Sequence, residues 1–71
     1  MGNKEELNNK LLKASKEGEL STVKSLLEKG ADVDYKDEDD NTALIYAIIE
    51  GRTEIAKLLL KKGAKIDCVN K

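Results

Sequence analysis

The stretch that decides the fold lies between residues 42 and 63 and reads TALIYAIIEGRTEIAKLLLKKG. It is a diverged copy of residues 9–30, NKLLKASKEGELSTVKSLLEKG, which stand 33 positions earlier. When 11–34 is laid over 44–67, eleven residues are identical. A period of 33 is one structural unit used twice, so we expect a stack of units whose extended surface suits binding better than catalysis.

The composition narrows the classes of function. The 71 residues are 39% hydrophobic and 38% charged, with a net charge of −1 and no histidine. This composition is typical of short, highly charged helices around a thin aliphatic core. A nearly neutral chain has no overall field that attracts nucleic acid or anionic membrane. No apolar run reaches the roughly 18 residues that cross a bilayer, so we expect no nucleic acid and no membrane among its partners.

Cysteine usage gives a weaker indication of the compartment. Cys68 is the single cysteine and cannot form a disulfide within the chain. This favours a reducing, intracellular and cytoplasmic location.

Apolar residues recur at helical spacing in four segments, which predicts helices over 4–17, 21–29, 43–50 and 54–62. Small polar residues that favour N-caps stand before or at their starts: Asn3, Ser21, Thr42 and Thr53. A glycine ends each segment: Gly18, Gly30, Gly51 and Gly63. The fold class predicted is all-α, with two helix-turn-helix units stacked on each other and an extended, hairpin-like polar loop between them.

The segments of the second unit resemble the ankyrin repeat in order and spacing. They are GADVD at 30–34, TALIYA at 42–47, Gly51, and EIAKLLL at 54–60. Four positions depart from that pattern. Ala43 stands where the family has proline, Ile45 where it has histidine and Ile48 where it has a small alanine. Asp40 replaces a loop glycine of left-handed conformation, which aspartate tolerates less well.

The resemblance implies a single ankyrin-repeat domain over residues 1–71. Residues 4–34 look like an N-terminal capping repeat and residues 35–67 like one standard repeat. Residues 68–71 then match the start of a third repeat, so we expect a truncated array or a short repeat protein.

A role in protein–protein recognition is what the resemblance implies, with no enzymatic reaction and no cofactor. Ankyrin proteins commonly bind their partners through loop tips and the exposed ends of each first helix. The corresponding partner-binding residues of this chain are Lys36, Glu38, Asp39, Asn41, Ile49 and Glu50, with Lys16 and Glu17 in the first unit.

A self-assembling role is the alternative, because a last repeat normally carries a polar cap. The second unit is instead rich in aliphatic residues that we expect to face a missing neighbour. Those singled out for self-association are Leu44, Ile48, Ile55 and Leu58. A homodimer that pairs two such faces through residues 43–67 would cover them.

The loop between the units is strongly acidic. Six acidic residues and one lysine lie between Asp32 and Asn41. The alternation of Asp37, Asp39 and Asn41 is similar to a calcium loop, but Thr42 occupies the position of its glycine, and we expect no metal. A solvated loop and a docking surface for a basic partner both remain open.

Catalytic chemistry finds no support in the sequence. Without histidine, no carboxylate or lysine stands beside a recognisable nucleophile, and Cys68 lacks an activating partner. The two aromatic residues are candidates for core packing or for binding anchors. Packing is favoured for Tyr46, and neither role is favoured for Tyr35.

Overall fold

A computed structural model describes residues 4–64 of the chain. Within that range there are four helices and no strand. The helices are α1 (Lys4–Glu17), α2 (Leu20–Glu28), α3 (Ala43–Ile49) and α4 (Thr53–Lys61). The all-α prediction is confirmed, and every helix begins and ends within one residue of its predicted bounds.

Of the N-caps predicted for α2, α3 and α4, only that of α3 is observed. Thr42 caps α3 as expected, because its side-chain oxygen accepts the backbone N–H of Ile45 at 3.3 Å. Ser21 and Thr53 are not caps, and these two predictions were wrong. The residues at the cap positions of α2 and α4 are Glu19 and Arg52, neither of which makes a side-chain capping hydrogen bond. Asn3 lies outside the described residues.

Backbone turns explain why α2 and α4 start without a side-chain cap. At the first turn Gly18 has a φ of 82°, and the N–H groups of Gly18 and Glu19 both donate to the carbonyl of Ala14 at 2.9 Å. Gly51 repeats this turn with a φ of 71°. A left-handed glycine closes the helix and reverses the chain at once. The next helix therefore begins before Ser21 or Thr53 can take up the extended backbone of a cap.

The helices form two pairs in two layers. α1 packs against α2 and α3 packs against α4, while α1 also contacts α3 and α2 contacts α4. We call α1 with α2 the first helix pair and α3 with α4 the second helix pair. The core runs through both pairs and is made of buried aliphatic side chains: Leu11, Leu12, Ala14, Val23, Leu26, Ala43, Leu44, Ala47, Ile55 and Leu59.

A buried amide fixes the start of the loop between the pairs. Asn8 is buried on α1, and its Oδ1 accepts the backbone N–H of Asp32 at 2.6 Å. The side chain of Asn8 gives the backbone N–H of Asp32, at the start of the loop, a hydrogen-bond acceptor. The loop therefore leaves α2 at a fixed place against α1.

The loop turns at the aspartate that replaces glycine. Asp40 has a φ of 64°, and no other non-glycine residue in 4–64 has a positive φ. The predicted left-handed position is thus confirmed at Asp40. Its backbone N–H donates to the carbonyl of Asp37 at 3.0 Å, which closes the tip of the loop.

None of the helices within residues 4–64 is long and apolar enough to cross a membrane.

Candidate partner-binding surface

An open groove of about 580 Å³ lies between the first helices of the two pairs. It is lined by Leu12, Lys13, Lys16, Glu17, Asp37, Tyr46, Glu50 and Arg52. We call this set the groove. Three of the predicted partner-binding residues, Lys16, Glu17 and Glu50, line it, so the exposed ends of α1 and α3 form one continuous surface.

Tyr46 connects the groove to the loop. Its hydroxyl donates to Oδ2 of Asp37 and is approached by Nδ2 of Asn41 at 3.5 Å. The ammonium of Lys16 lies 5.8 Å from the centroid of the ring, within the range of a cation–π contact. The ring also packs against the core. Tyr46 therefore has two roles. Its ring packs against the core, as predicted, and its hydroxyl fixes the loop through Asp37, which was not predicted.

Asp37 organises the tip of the loop through its carboxylate. Oδ1 accepts the backbone N–H groups of Asp39 and Asn41, each at 2.9 Å. The hydrogen bond from Tyr46, followed by those from the backbone, holds the pKa of Asp37 below its ordinary 3.8. The same bond raises the pKa of Tyr46, since ionising the phenol would place two negative charges together. Asp37 is therefore a structural anion rather than a free docking group.

Arg52 holds the two helix pairs together at the end of the groove. Its Nε donates to the backbone carbonyl of Lys16 at 3.3 Å. The guanidinium crosses directly over Gly18, where a Cβ would stand 2.8 Å from Nε. With its φ of 82°, Gly18 therefore permits both the turn and the close approach of Arg52.

The loop contributes the acidic part of the surface. Lys36, Glu38 and Asp39 are exposed, whereas Asn41 is half-buried by its bonds to Asp37. A shallow pocket of about 300 Å³ opens beside the loop and is lined by Glu5, Asn9, Tyr35, Asp37, Glu38 and Asp39. Four of these lining residues are acidic, and none of the lysines or the arginine within residues 4–64 is among them.

Ile49 is the most exposed large aliphatic side chain in residues 4–64, at 67%. It directly precedes Glu50, which lines the groove. The residue 33 positions earlier is Lys16, which is also exposed and lines the groove. Both helix pairs thus present the same position to solvent, in one case charged and in the other apolar.

The predicted self-association residues do not share one exposed face. Leu44 and Ile55 are buried in the core, so the expectation that they face a missing neighbour was wrong. Leu44 is covered within the stack as its counterpart Leu11 is, and Ile55 lies on a helix that packs against α2. Leu58 is half-buried against the core, and Ile48 alone of the four is exposed.

The described part of the chain contains no cluster of side chains suited to metal binding. No group of three or more histidine, cysteine, aspartate or glutamate residues in 4–64 is arranged to hold a metal ion. Cys68 lies outside these residues.

Three functional contacts escaped the sequence reasoning. The guanidinium of Arg52 and the amide of Asn8 join residues that are 36 and 24 positions apart, and the hydroxyl of Tyr46 joins α3 to a loop residue nine positions earlier. A signal existed only for Asn8, which stands one helical turn before Leu11 and Leu12 on the apolar side of α1. A polar residue on such a stripe requires a buried partner.

The family model described as ankyrin repeats (many copies) matches residues 11–60. No curated protein matches the chain.

Proposed function

The chain belongs to the ankyrin-repeat family, and we propose that it binds a basic protein segment across the groove and the acidic loop. Ankyrin repeats are generally protein–protein interaction modules and typically not enzymes. The partner-binding residues proposed are Lys16, Glu17, Lys36, Glu38, Asp39, Asn41, Ile49 and Glu50.

The observation that carries the proposal is the continuity of the groove with the loop. Tyr46 lines the groove and holds Asp37, and Asp37 in turn fixes the amides of Asp39 and Asn41. The loop is therefore positioned before a partner arrives. A surface that is ordered in advance loses less entropy on binding than a mobile one.

The acidic loop favours a basic partner, and the exposed Ile49 favours one with an apolar anchor. Glu38 and Asp39 are exposed beside a pocket that no cation lines. Ile49 offers an exposed apolar side chain next in sequence to Glu50, which lines the groove. Acidic groups at the edge steer a cationic segment, and a central apolar contact excludes water from the complex.

Random peptides displayed on phage and selected on the immobilised chain provide a probe for this surface. We expect the selected peptides to be enriched in lysine and arginine. The double substitution Glu38→Gln and Asp39→Asn should lower the affinity for a selected peptide by about two- to thirtyfold, since each exposed ion pair contributes about 0.2–1 kcal/mol. The dependence of its affinity on salt should also flatten.

A matched control removes the same amount of charge elsewhere. Glu28 and Glu54 are exposed on the second helices, and Glu28→Gln with Glu54→Gln should leave the affinity unchanged. If both pairs of substitutions lowered the affinity equally, the effect would come from the net charge of the chain and not from the loop. Selected peptides without a basic bias would contradict the proposed partner chemistry.

A further inference from the structure

Within residues 4–64, comparing positions 33 residues apart shows where the second helix pair lacks a cover that the first pair has. Most core positions are equally buried in both pairs, as with Leu11 and Leu44. Two positions differ in the same direction. Ser15 is 0% exposed and its counterpart Ile48 is 46% exposed, while Leu27 is half-buried and its counterpart Leu60 is 40% exposed.

The cause of the difference lies in the stacking. Ser15 is on α1, which packs against α3, and Leu27 belongs to the pair that the second helix pair covers. Val23 follows the same pattern, since it is buried and its counterpart Ala56 is only half-buried. Within residues 4–64 no helix pair lies against Ile48, Ala56 and Leu60 in the way that the second pair lies against their counterparts. We call these three residues the stacking face.

The stacking face is distinct from the groove. Ile48 and Ile49 are neighbours in sequence, yet the counterpart of Ile48 is buried and that of Ile49, Lys16, is exposed in the groove. Successive helical residues point about 100° apart. Ile49 therefore belongs to the partner-binding surface, and Ile48 to the side on which repeats stack.

The opposite end of the stack is polar. Asn9, Lys10 and Thr22 are exposed, whereas the residues 33 positions later, Thr42, Ala43 and Ile55, are buried between the helix pairs. Lys10 also pairs with Glu6 at 3.7 Å across one helical turn. A second copy stacked head to tail would bury this polar end against Ile48 without partners for its charges.

A second copy that turns its own stacking face toward the first avoids that cost. Ile48 and Leu60 of one copy then meet the same apolar residues of the other, which is the self-complementary contact of a twofold dimer. Exposed apolar groups gathered on one face favour such burial. From the apolar stacking face and the polar opposite end, we propose that two copies of this chain associate face to face through Ile48, Ala56 and Leu60.

The interface is expected to be small and the dimer correspondingly weak. The accessible surface of the chain is 4718 Å², and a standard specific interface takes roughly 800 Å² from each partner. Three aliphatic side chains form the centre of a smaller patch than that. We therefore expect the dimer to dissociate on dilution.

Sedimentation equilibrium over a concentration series tests the proposal. The weight-average mass should rise from 7.8 kDa toward twice that value. Ile48→Glu places two like charges opposite each other across the twofold axis, and it should raise the dissociation constant at least about tenfold. Ile49→Glu is the matched control, because it charges a more exposed neighbour outside the stacking face and should leave the dimer intact. Circular dichroism of each variant checks that it is folded.

The contact itself can be observed by isotope-filtered NMR on a mixture of labelled and unlabelled chains. The Ile48 methyl groups should show intermolecular NOEs to Ile48 and Leu60 of a second copy. A monomer at millimolar concentration, growth beyond a dimer, or equal disruption by Ile49→Glu would overturn the proposal. Strong NOEs from Ile48 to residues 65–71 of the same chain would overturn it as well, since that segment would then be the cover. Because peptide binding depends on Ile49 and the loop, its failure would be distinguishable from the failure of the dimer.

Discussion

At the scale of single residues, Tyr46 has the widest consequences. One side chain contributes ring surface to the core, supports the ammonium of Lys16 and anchors the loop through Asp37. The sequence indicated the first role, since Tyr46 stands within an apolar helical segment. The other two depend on how the loop folds back over α3, and local sequence pattern carries no information on that.

Tyr46→Phe should remove the hydrogen bond to Asp37 while keeping the ring. We expect a loss of about 1 kcal/mol in the free energy of unfolding at pH 7, the typical net contribution of one intramolecular hydrogen bond. The loss should depend on pH in a defined direction. Asp37 has a lowered pKa in the folded chain, so the bond contributes fully above the ordinary value of 3.8 and less as pH falls through the lowered folded pKa.

Denaturation of the native chain and of Tyr46→Phe at several pH values measures this difference. The two stabilities should converge as the pH falls below 3.8. Tyr35→Phe, a matched removal of the other phenol, should show no such convergence. If the difference in stability between the native chain and Tyr46→Phe stayed constant down to low pH, the bond from Tyr46 would not be what lowers the pKa of Asp37.

At the scale of helices, the periodicity of apolar residues predicted the four helices, but the residues that cap their N-termini were predicted less accurately. The spacing of Leu11 and Ala14 and of Leu26 and Leu27 located their helices to within one residue. Ser21 and Thr53 were expected as caps because small polar side chains favour that position. Backbone hydrogen bonds around Gly18 and Gly51 close those turns instead, and composition alone does not distinguish the two ways of starting a helix.

Leu59 is one of two buried side chains through which α4 contacts the rest of the molecule, and it is fully buried. Leu59→Ala should cost about 2–5 kcal/mol, because it removes apolar contacts and leaves a cavity. A domain of this size has only a few kcal/mol of total stability, so the variant should be largely unfolded.

The adjacent Leu60 offers a matched control for that substitution. It is 40% exposed, and Leu60→Ala in dilute solution should cost far less than Leu59→Ala. Thermal melts followed by circular dichroism would report both. Similar melting temperatures for the two variants would contradict the assignment of α4's buried side.

At the scale of the whole molecule, the 33-residue period carried most of the prediction. It indicated two helix pairs, while the left-handed turn at Asp40 was indicated by the family resemblance. It also misassigned Leu44 and Ile55 to an open face, because apolar identity does not say which neighbour buries a residue. Only the packed pairs show that Ile48 is exposed on one side of α3 while Ile49 is exposed on another.

The most direct test of the proposed binding surface is chemical-shift mapping of the ¹⁵N-labelled chain with a selected basic peptide. The amides of Lys16, Glu17, Ile49, Glu50 and the loop over 36–41 should shift together and saturate at one affinity. Dilute samples would keep self-association out of the measurement. Shifts concentrated instead on the outer surfaces of α2 and α4, at Lys24, Glu28 and Lys57, would show that the groove and the loop are not where this protein binds.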